Sequence, residues 1–203
     1  MSVAQTLQNP EHELVLASKS QIRADVLTQA GLSFEVVPSG VDEDELKAEI
    51  SDPHVLAQAL AVAKAKAISA SRPDAFIIGA DQVMLCAGRV FDKPSSMQEA
   101  RDNLAFLSGK PHQLLSGIAL VRGGDVLWSD TIVATLYVRA LSAQDLSLYL
   151  AAAGESILSS VGCYRLEDVG IHLFEKIEGD HLTIYGLPLL HLLPQLRHYG
   201  VVR

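Results

Sequence analysis

Cysteine and positive charge are scarce in this 203-residue chain. Cys86 and Cys163 are its only cysteines, far apart and in no CxxC pair. That excludes a disulfide framework and fits two small apolar residues in a reduced, cytoplasmic setting. Lysine and arginine number 16 against 24 aspartates and glutamates, a formal net charge of −8. Such a balance argues against a nucleic-acid backbone as partner, which would need a basic stripe. A small phosphate ligand stays compatible, because a few cations in one place can dominate the local field. No apolar run approaches the ~20 residues that span a bilayer, and MSVAQTLQNP lacks the basic flank and apolar core of a secretory leader, so no membrane partner is expected. Three motifs are also missing. There is no GxxxxGK[ST] phosphate loop, no GxSxG serine elbow, and no HxH or HExxH arrangement among the seven histidines to hold zinc.

What is present is an ordinary globular composition, 49% hydrophobic and 20% charged, without repeats or low-complexity tracts. It predicts one domain over 1–203, with residues 1–12 as a flexible N-terminal extension. ELVLA (13–17) reads as a buried strand. A helix follows to about Ala30, with Ser20 as N-cap and Gly31 as its stop. SFEVV (33–37) alternates like a half-buried strand, and VDEDELKAEISDP reads as a loop or short helix. The alanine-rich stretch 55–71 predicts a helix that stops before Pro73. AFIIG (75–79) has the continuous apolar character of a strand covered on both faces, with Asp81 just past its end. VMLCAGRVF predicts a hairpin turning at Ala87–Gly88, and a helix opens after Pro94–Ser95 and closes at Gly109. Two longer strands, 113–121 and 126–138, flank a Gly123–Gly124 turn, and a helix spans about Ser142 to Ala153. The tail predicts strands near 171–177 and 182–185, then a terminal helix. Hairpins mixed with strand–helix steps indicate an α/β fold with a mixed sheet.

Chemistry concentrates in a few stretches. At LASKSQIR, Ser18, Lys19, Ser20 and Arg23 stand where a helix begins, and a helix N-terminus with hydroxyls and cations suits a phosphate. The same residues also suit an ordinary capped helix start. In IIGADQV, Asp81 follows a buried strand, the place where open α/β sheets hold ligands. FDKPSS puts Lys93 before a proline that restricts the backbone. VDEDE supplies carboxylates, Glu43 among them. Lys64 and Lys66 are two apart on one helix and cannot share a face, so at most one joins a common site.

In order, LASKSQIR, VDE, LAVAKAKA, IIGADQV, DKP, LSGKPHQLLSG, VGCY and IEGDHLTIYGLPL resemble the Maf family of nucleoside triphosphate pyrophosphatases, from about Leu14 to Leu196. The resemblance implies two lobes around an elongated mixed sheet with a central cleft, similar to inosine triphosphate pyrophosphatases, and a homodimer. It also implies hydrolysis of a nucleoside triphosphate between the α and β phosphates with a divalent metal, Mg²⁺ or Mn²⁺. Family roles fall on Ser18, Ser20 and Arg23 in the phosphate loop, Lys64 on its helix, and Asp81, Glu43 and Lys93 as the catalytic set. Glu43 and Asp81 are the expected metal ligands, as hard carboxylate donors for such an ion.

The branch is read from departures. Members active on thymidine or uridine triphosphate tend to read SPRR in the first loop, DT after the strand and Gln in the last loop. Here those places hold Gln21–Ile22–Arg23, Asp81–Gln82 and Glu167, closer to the branch acting on 7-methylguanosine triphosphate, although Ile22 stands where that branch usually has an aromatic. A carboxylate at Glu167 can accept two adjacent donors, which guanine offers on one edge and thymine and uracil do not. Ile22, Gln82 and Glu167 are therefore expected to select the base. The alternatives are a thymidine or uridine triphosphate pyrophosphatase of the same family, a non-hydrolysing nucleotide binder acting in cell division, and a different phosphoryl-transfer enzyme.

Overall fold

The computed structural model describes residues 7–203. Its strands are β1 (Leu14–Leu16), β2 (Glu35–Val36), β3 (Phe76–Cys86), β4 (Arg89–Phe91), β5 (Pro111–Arg122), β6 (Asp125–Val138) and β7 (Phe174–Glu178). They form a seven-stranded sheet in the order β2-β1-β3-β5-β6-β7, with β4 paired to β3. β1 runs parallel to β2 and β3, whereas the β3–β4 and β6–β7 pairs are antiparallel, so the sheet is mixed as expected. The helices are α1 (Gln21–Gln29), α2 (Asp44–Glu49), α3 (Pro53–Ser69), α4 (Met97–Leu107), α5 (Ala143–Ala153), α6 (His181–Ile184) and α7 (Leu189–His198). The chain divides into two compact units. One holds the chain up to Gln82, Ser116–Ile132 and His181–Arg203; the other holds Val83–Leu115 and Val133–Asp180.

In the first unit, period-two alternation sorts each strand onto two faces. Leu14, Leu16, Phe76, Ile78 and Ala80 pack with Ala24, Val26 and Leu27 of α1 and Leu189, Leu192 and Leu196 of α7. Val15, Ala17, Ala75 and Ile77 take the other face, with Ala65 and Ile68 of α3. Asp52 caps α3, its side chain accepting from the amides of His54 (2.8 Å) and Val55, and Pro53 fills the first turn where no amide hydrogen is needed. The alanine face of α3 lies directly on the strands. A Cβ at Gly79 would sit 2.0 Å from the Ala61 carbonyl oxygen, and one at Gly117 1.9 Å from that of Ala57. Only glycine admits this approach, and it sets where the next turn of α3 meets β3.

In the second unit, α4 is capped by Ser96 and packs on α5, which begins with a Ser142–Asp145 capping box. Its interior carries polar pairs. His112 Nε2 lies 2.6 Å from the Tyr164 hydroxyl, and Tyr149 donates to the Cys163 carbonyl at 3.0 Å. Burial drives the His112 imidazole down to about 4.

Several expectations change. β3 continues through Asp81 and Gln82 to Cys86, so Asp81 sits within the strand and not past its end. Polar residues stopped the apolar pattern but not the ladder, because β4 and β5 continue to pair with β3. Segment 33–37 shrinks to Glu35–Val36, both exposed, a two-residue edge paired only with β1. Residues 182–185 are not a strand. His181–Ile184 forms one helical turn that buries Thr183 and Ile184, tertiary burial overriding their β-propensity. Val169–Leu173 is a 3-10 turn preceding β7, and the terminal helix contains Pro194. Of the expected flexible extension, residues 1–6 lie outside the described residues. Gln8 is not loose: it bridges Val202, and its side chain bonds both the amide and carbonyl of Ser33.

Candidate functional site

The first unit brings most of the predicted residues together. β1 ends at Leu16, and Ser18, Lys19 and Ser20 lead into α1. Ser20 occupies the N-cap position but its side chain makes no capping bond; its backbone amide instead donates to Ser18 Oγ at 3.2 Å. Ser18 is buried, and its oxygen also accepts from Arg23 Nη1 at 3.1 Å. With both bonds accepted, the Ser18 hydroxyl hydrogen remains a donor for a ligand. Lys19 is exposed, and Ile22 is half-buried on α1.

Arg23 Nη1 also donates to the Ala80 carbonyl at 2.7 Å, so α1 is tied to β3 one residue before Asp81. Arg23 Nε is buried with no hydrogen-bond partner. Burial lowers the guanidinium pKa, and the Asp81 and Glu43 carboxylates pull it back in part. An arginine nitrogen buried without an acceptor is expensive in a resting fold, and an anion would satisfy it.

Lys64 extends from α3 one turn beyond Ala61, where the glycine contact has set the helix against β3. Its Nζ is held by Asp81 Oδ1 and by Glu43 Oε1 at 2.7 Å, and side-chain exposure at Lys64 and Asp81 is only 13% and 12%. Lys66 lies on an exposed position of the same helix, as the two-residue offset requires. Glu43 precedes α2 and is also paired with Lys47 at 3.4 Å. Burial pushes the Glu43 carboxyl up, but the Lys64 and Lys47 hydrogen bonds and charges outweigh it and hold it below its ordinary value.

Two carboxylates from distant chain segments thus converge on one cation. That donor set fits a magnesium-like ion, which is typically held by one or two carboxylates plus substrate phosphates. No group of three or more His, Cys, Asp or Glu residues suited to a metal occurs among the described residues, so remaining ligands would come from substrate and water.

Gln82 follows Asp81 on β3 and points to the opposite face. Its Nε2 donates to Ser116 Oγ (2.9 Å) and to the carbonyls of Thr183 (3.2 Å) and Ile184 (3.0 Å). Ser116 and Thr183 were not singled out from sequence. The signal available was strand alternation: had β3 been extended past Gly79, Gln82 would have fallen on the face covered by the C-terminal segment. Lys93 and Glu167 belong to the second unit. Lys93 is exposed before Pro94, and Glu167 Oε1 accepts from Arg165 Nε at 2.9 Å in the turn after Tyr164.

Comparison with known proteins identifies the family. A 7-methyl-GTP pyrophosphatase of Bartonella quintana is 48% identical over 191 residues, 93% of this chain and 96% of that protein. A 7-methyl-GTP pyrophosphatase of Mesorhizobium japonicum is 45% identical over 194 residues, 94% and 98% of the two chains. A nucleoside triphosphate pyrophosphatase of Nitrobacter hamburgensis is 42% identical over 191 residues, 93% and 95%. A solved HAM1 protein from Coxiella burnetii matches at 17% identity over 63% of this chain and 73% of that one, with a TM-score of 0.40, too slight a likeness to bear on the fold. The family model for Maf-like proteins matches residues 13–199, nearly the whole length, and this chain belongs to that family.

Proposed function

We propose that this protein is a nucleoside triphosphate pyrophosphatase. Water adds to the α-phosphorus, the α–β bridging oxygen leaves with pyrophosphate, and the nucleoside monophosphate remains. One observation carries the reading: Asp81 and Glu43 share the Lys64 ammonium beside Arg23, whose buried Nε lacks an acceptor. Carboxylates, a lysine and an unsatisfied arginine form a set suited to a metal-bound polyphosphate. Relatives with pyrophosphatase names match over almost their whole lengths, which supports the same reaction here.

Asp81 is the general base, taking the proton of the attacking water, with Lys64 holding it in place. Arg23 and Ser18 hold phosphate oxygens, joined by Ser20 and, in the role the family resemblance implies, by Lys93. Such donors stabilise charge that grows on the leaving pyrophosphate. Glu43 and Asp81 would hold the divalent metal, which when bound supplies positive charge to the phosphate oxygens and makes water a stronger acid. The protein acts as a homodimer, on the family resemblance.

The base is of guanine type, and 7-methylguanosine triphosphate is the favoured substrate. Two of the relatives named above carry that activity in their names. Glu167 supplies the chemistry: Arg165 engages Oε1, and Oε2 can accept from a guanine edge. Ile22 and Gln82 have a part in base selection on the family resemblance alone. The test is a panel of 7-methylguanosine, guanosine, thymidine and uridine triphosphates, scored separately for pyrophosphate and orthophosphate. Pyrophosphate with a preference for the 7-methylated nucleotide is expected. Orthophosphate would indicate another phosphoryl-transfer enzyme, no product a nucleotide-binding regulator, and a pyrimidine preference the other branch.

A further inference from the structure

Gln82 has a task that base selection does not explain. Its amide nitrogen is spent on Ser116 Oγ and on the carbonyls of Thr183 and Ile184, while the fully buried Ser116 hydroxyl itself donates to the Thr183 carbonyl at 2.7 Å. These four bonds bind β3 and β5 to the single turn of α6. That turn hands the chain directly to Gly186: the Gly186 amide donates to the Thr183 carbonyl at 3.0 Å, and Gly186 has φ +80. A Cβ added at Gly186 would lie 3.1 Å from both Nε and Nη2 of Arg23. The backbone at Gly186 therefore rests against the guanidinium whose Nη1 bonds Ser18 and Ala80 and whose Nε is buried without an acceptor.

We infer that Gln82 and Ser116 are positioning residues for Arg23. Their hydrogen bonds hold the Thr183–Gly186 turn as a wall against one side of the guanidinium, so that its unsatisfied Nε–H is kept aimed at the triphosphate. Alternation along β3 makes this possible. Asp81 faces α3 and Lys64, while Gln82 faces α1 and the C-terminal segment, so consecutive residues serve the two halves of the site, one the water and one the phosphate clamp.

The inference rests on Arg23 binding the triphosphate, and the experiment separates the two. Affinity for inorganic tripolyphosphate, which carries no base, is measured by calorimetry with Mg²⁺ for the wild type, Gln82→Glu, Ser116→Ala and Gly186→Ala. Glutamate at 82 keeps an acceptor but loses the donor. Ser116→Ala removes only the hydroxyl, and Gly186→Ala presses on the guanidinium from the wall itself. Each should bind tripolyphosphate about five- to tenfold more weakly, the loss of one or two buried hydrogen bonds or their equivalent. Ser116→Ala should raise KM for every nucleotide by a common factor and leave the ranking of bases unchanged, a pattern general loss of packing would not give. If Gln82→Glu fails to fold, as judged by its thermal transition, Ser116→Ala decides. Wild-type tripolyphosphate affinity in folded Ser116→Ala overturns the inference, as does a changed base ranking at constant affinity. A wild-type protein that does not bind tripolyphosphate overturns the reading of Arg23 instead.

Discussion

At the scale of single residues, the site is organised by one cation shared between two acids. Lys64 draws Asp81 and Glu43 together, Lys47 pairs with Glu43, and Arg23 lies near both carboxylates. Asp81→Asn keeps the shape and removes the proposed base. Turnover should fall about 10²–10⁴-fold, with the thermal transition intact, and near-wild-type pyrophosphate release would remove Asp81 from the chemistry. Glu43→Gln should instead shift the metal titration to higher concentration; an unchanged titration would show that Glu43 is no ligand. A different residue contributes to acid stability. His112 is driven by burial to about 4, against an ordinary value of 6.5 for an unfolded chain. Between those values the unfolded state takes up a proton that the folded state refuses, so stability is full above about pH 6.5 and declines as pH drops to about 4. The loss amounts to about 3 kcal/mol. His112→Gln should flatten that part of the curve of unfolding midpoint against pH; parallel curves for variant and wild type would refute the assignment.

At the scale of elements, the decisive contact is α3 on β3. Ala61 meets Gly79 with no room for a Cβ, and Lys64 one turn on then meets Asp81 two residues on. Gly79→Ala must move a backbone carbonyl, not a flexible side chain, so it should destabilise by about 1–3 kcal/mol and also slow turnover below its unfolding temperature. If activity at low temperature matches wild type, α3 is not what aligns Lys64 with Asp81. Much of this was legible beforehand. The helix of 55–71, the Ala87–Gly88 hairpin and the long strands about Gly123–Gly124 follow local rules that tertiary structure did not overrule; spacing allowed only one of Lys64 and Lys66 in the site, and the family resemblance pointed to Lys64. What escaped was the length of β3, because an aspartate and a glutamine interrupt its apolar run while neighbouring strands go on pairing with it. With that extension missed, the opposite facing of Asp81 and Gln82 was missed too. The turn at His181–Ile184 escaped for a related reason: Thr183 and Ile184 are strand-forming residues placed in a helical turn by burial.

At the scale of the whole molecule, an enzyme of formal net charge −8 takes a polyanion. On the proposed reading attraction is then local, from Arg23, Lys64 and a divalent metal, against a repulsive long-range field. Salt acts on the two parts differently. Raising ionic strength from about 0.01 to about 0.15 M shortens the screening length from about 30 to about 8 Å, which weakens the distant repulsion more than contacts at hydrogen-bond distance. For a basic protein the same change would strip affinity for a triphosphate. Here kcat/KM, followed at constant free Mg²⁺, should stay within about threefold or rise, because the screened component opposes binding. Chelation of the metal should do what salt does not and remove turnover, since Glu43 and Asp81 would then add their own charges to the repulsion around the phosphates. A steep fall in kcat/KM with salt at constant metal would mean that the triphosphate meets a positive surface larger than these cations make. Sedimentation at the two ionic strengths would then show whether a second copy of the chain supplies it.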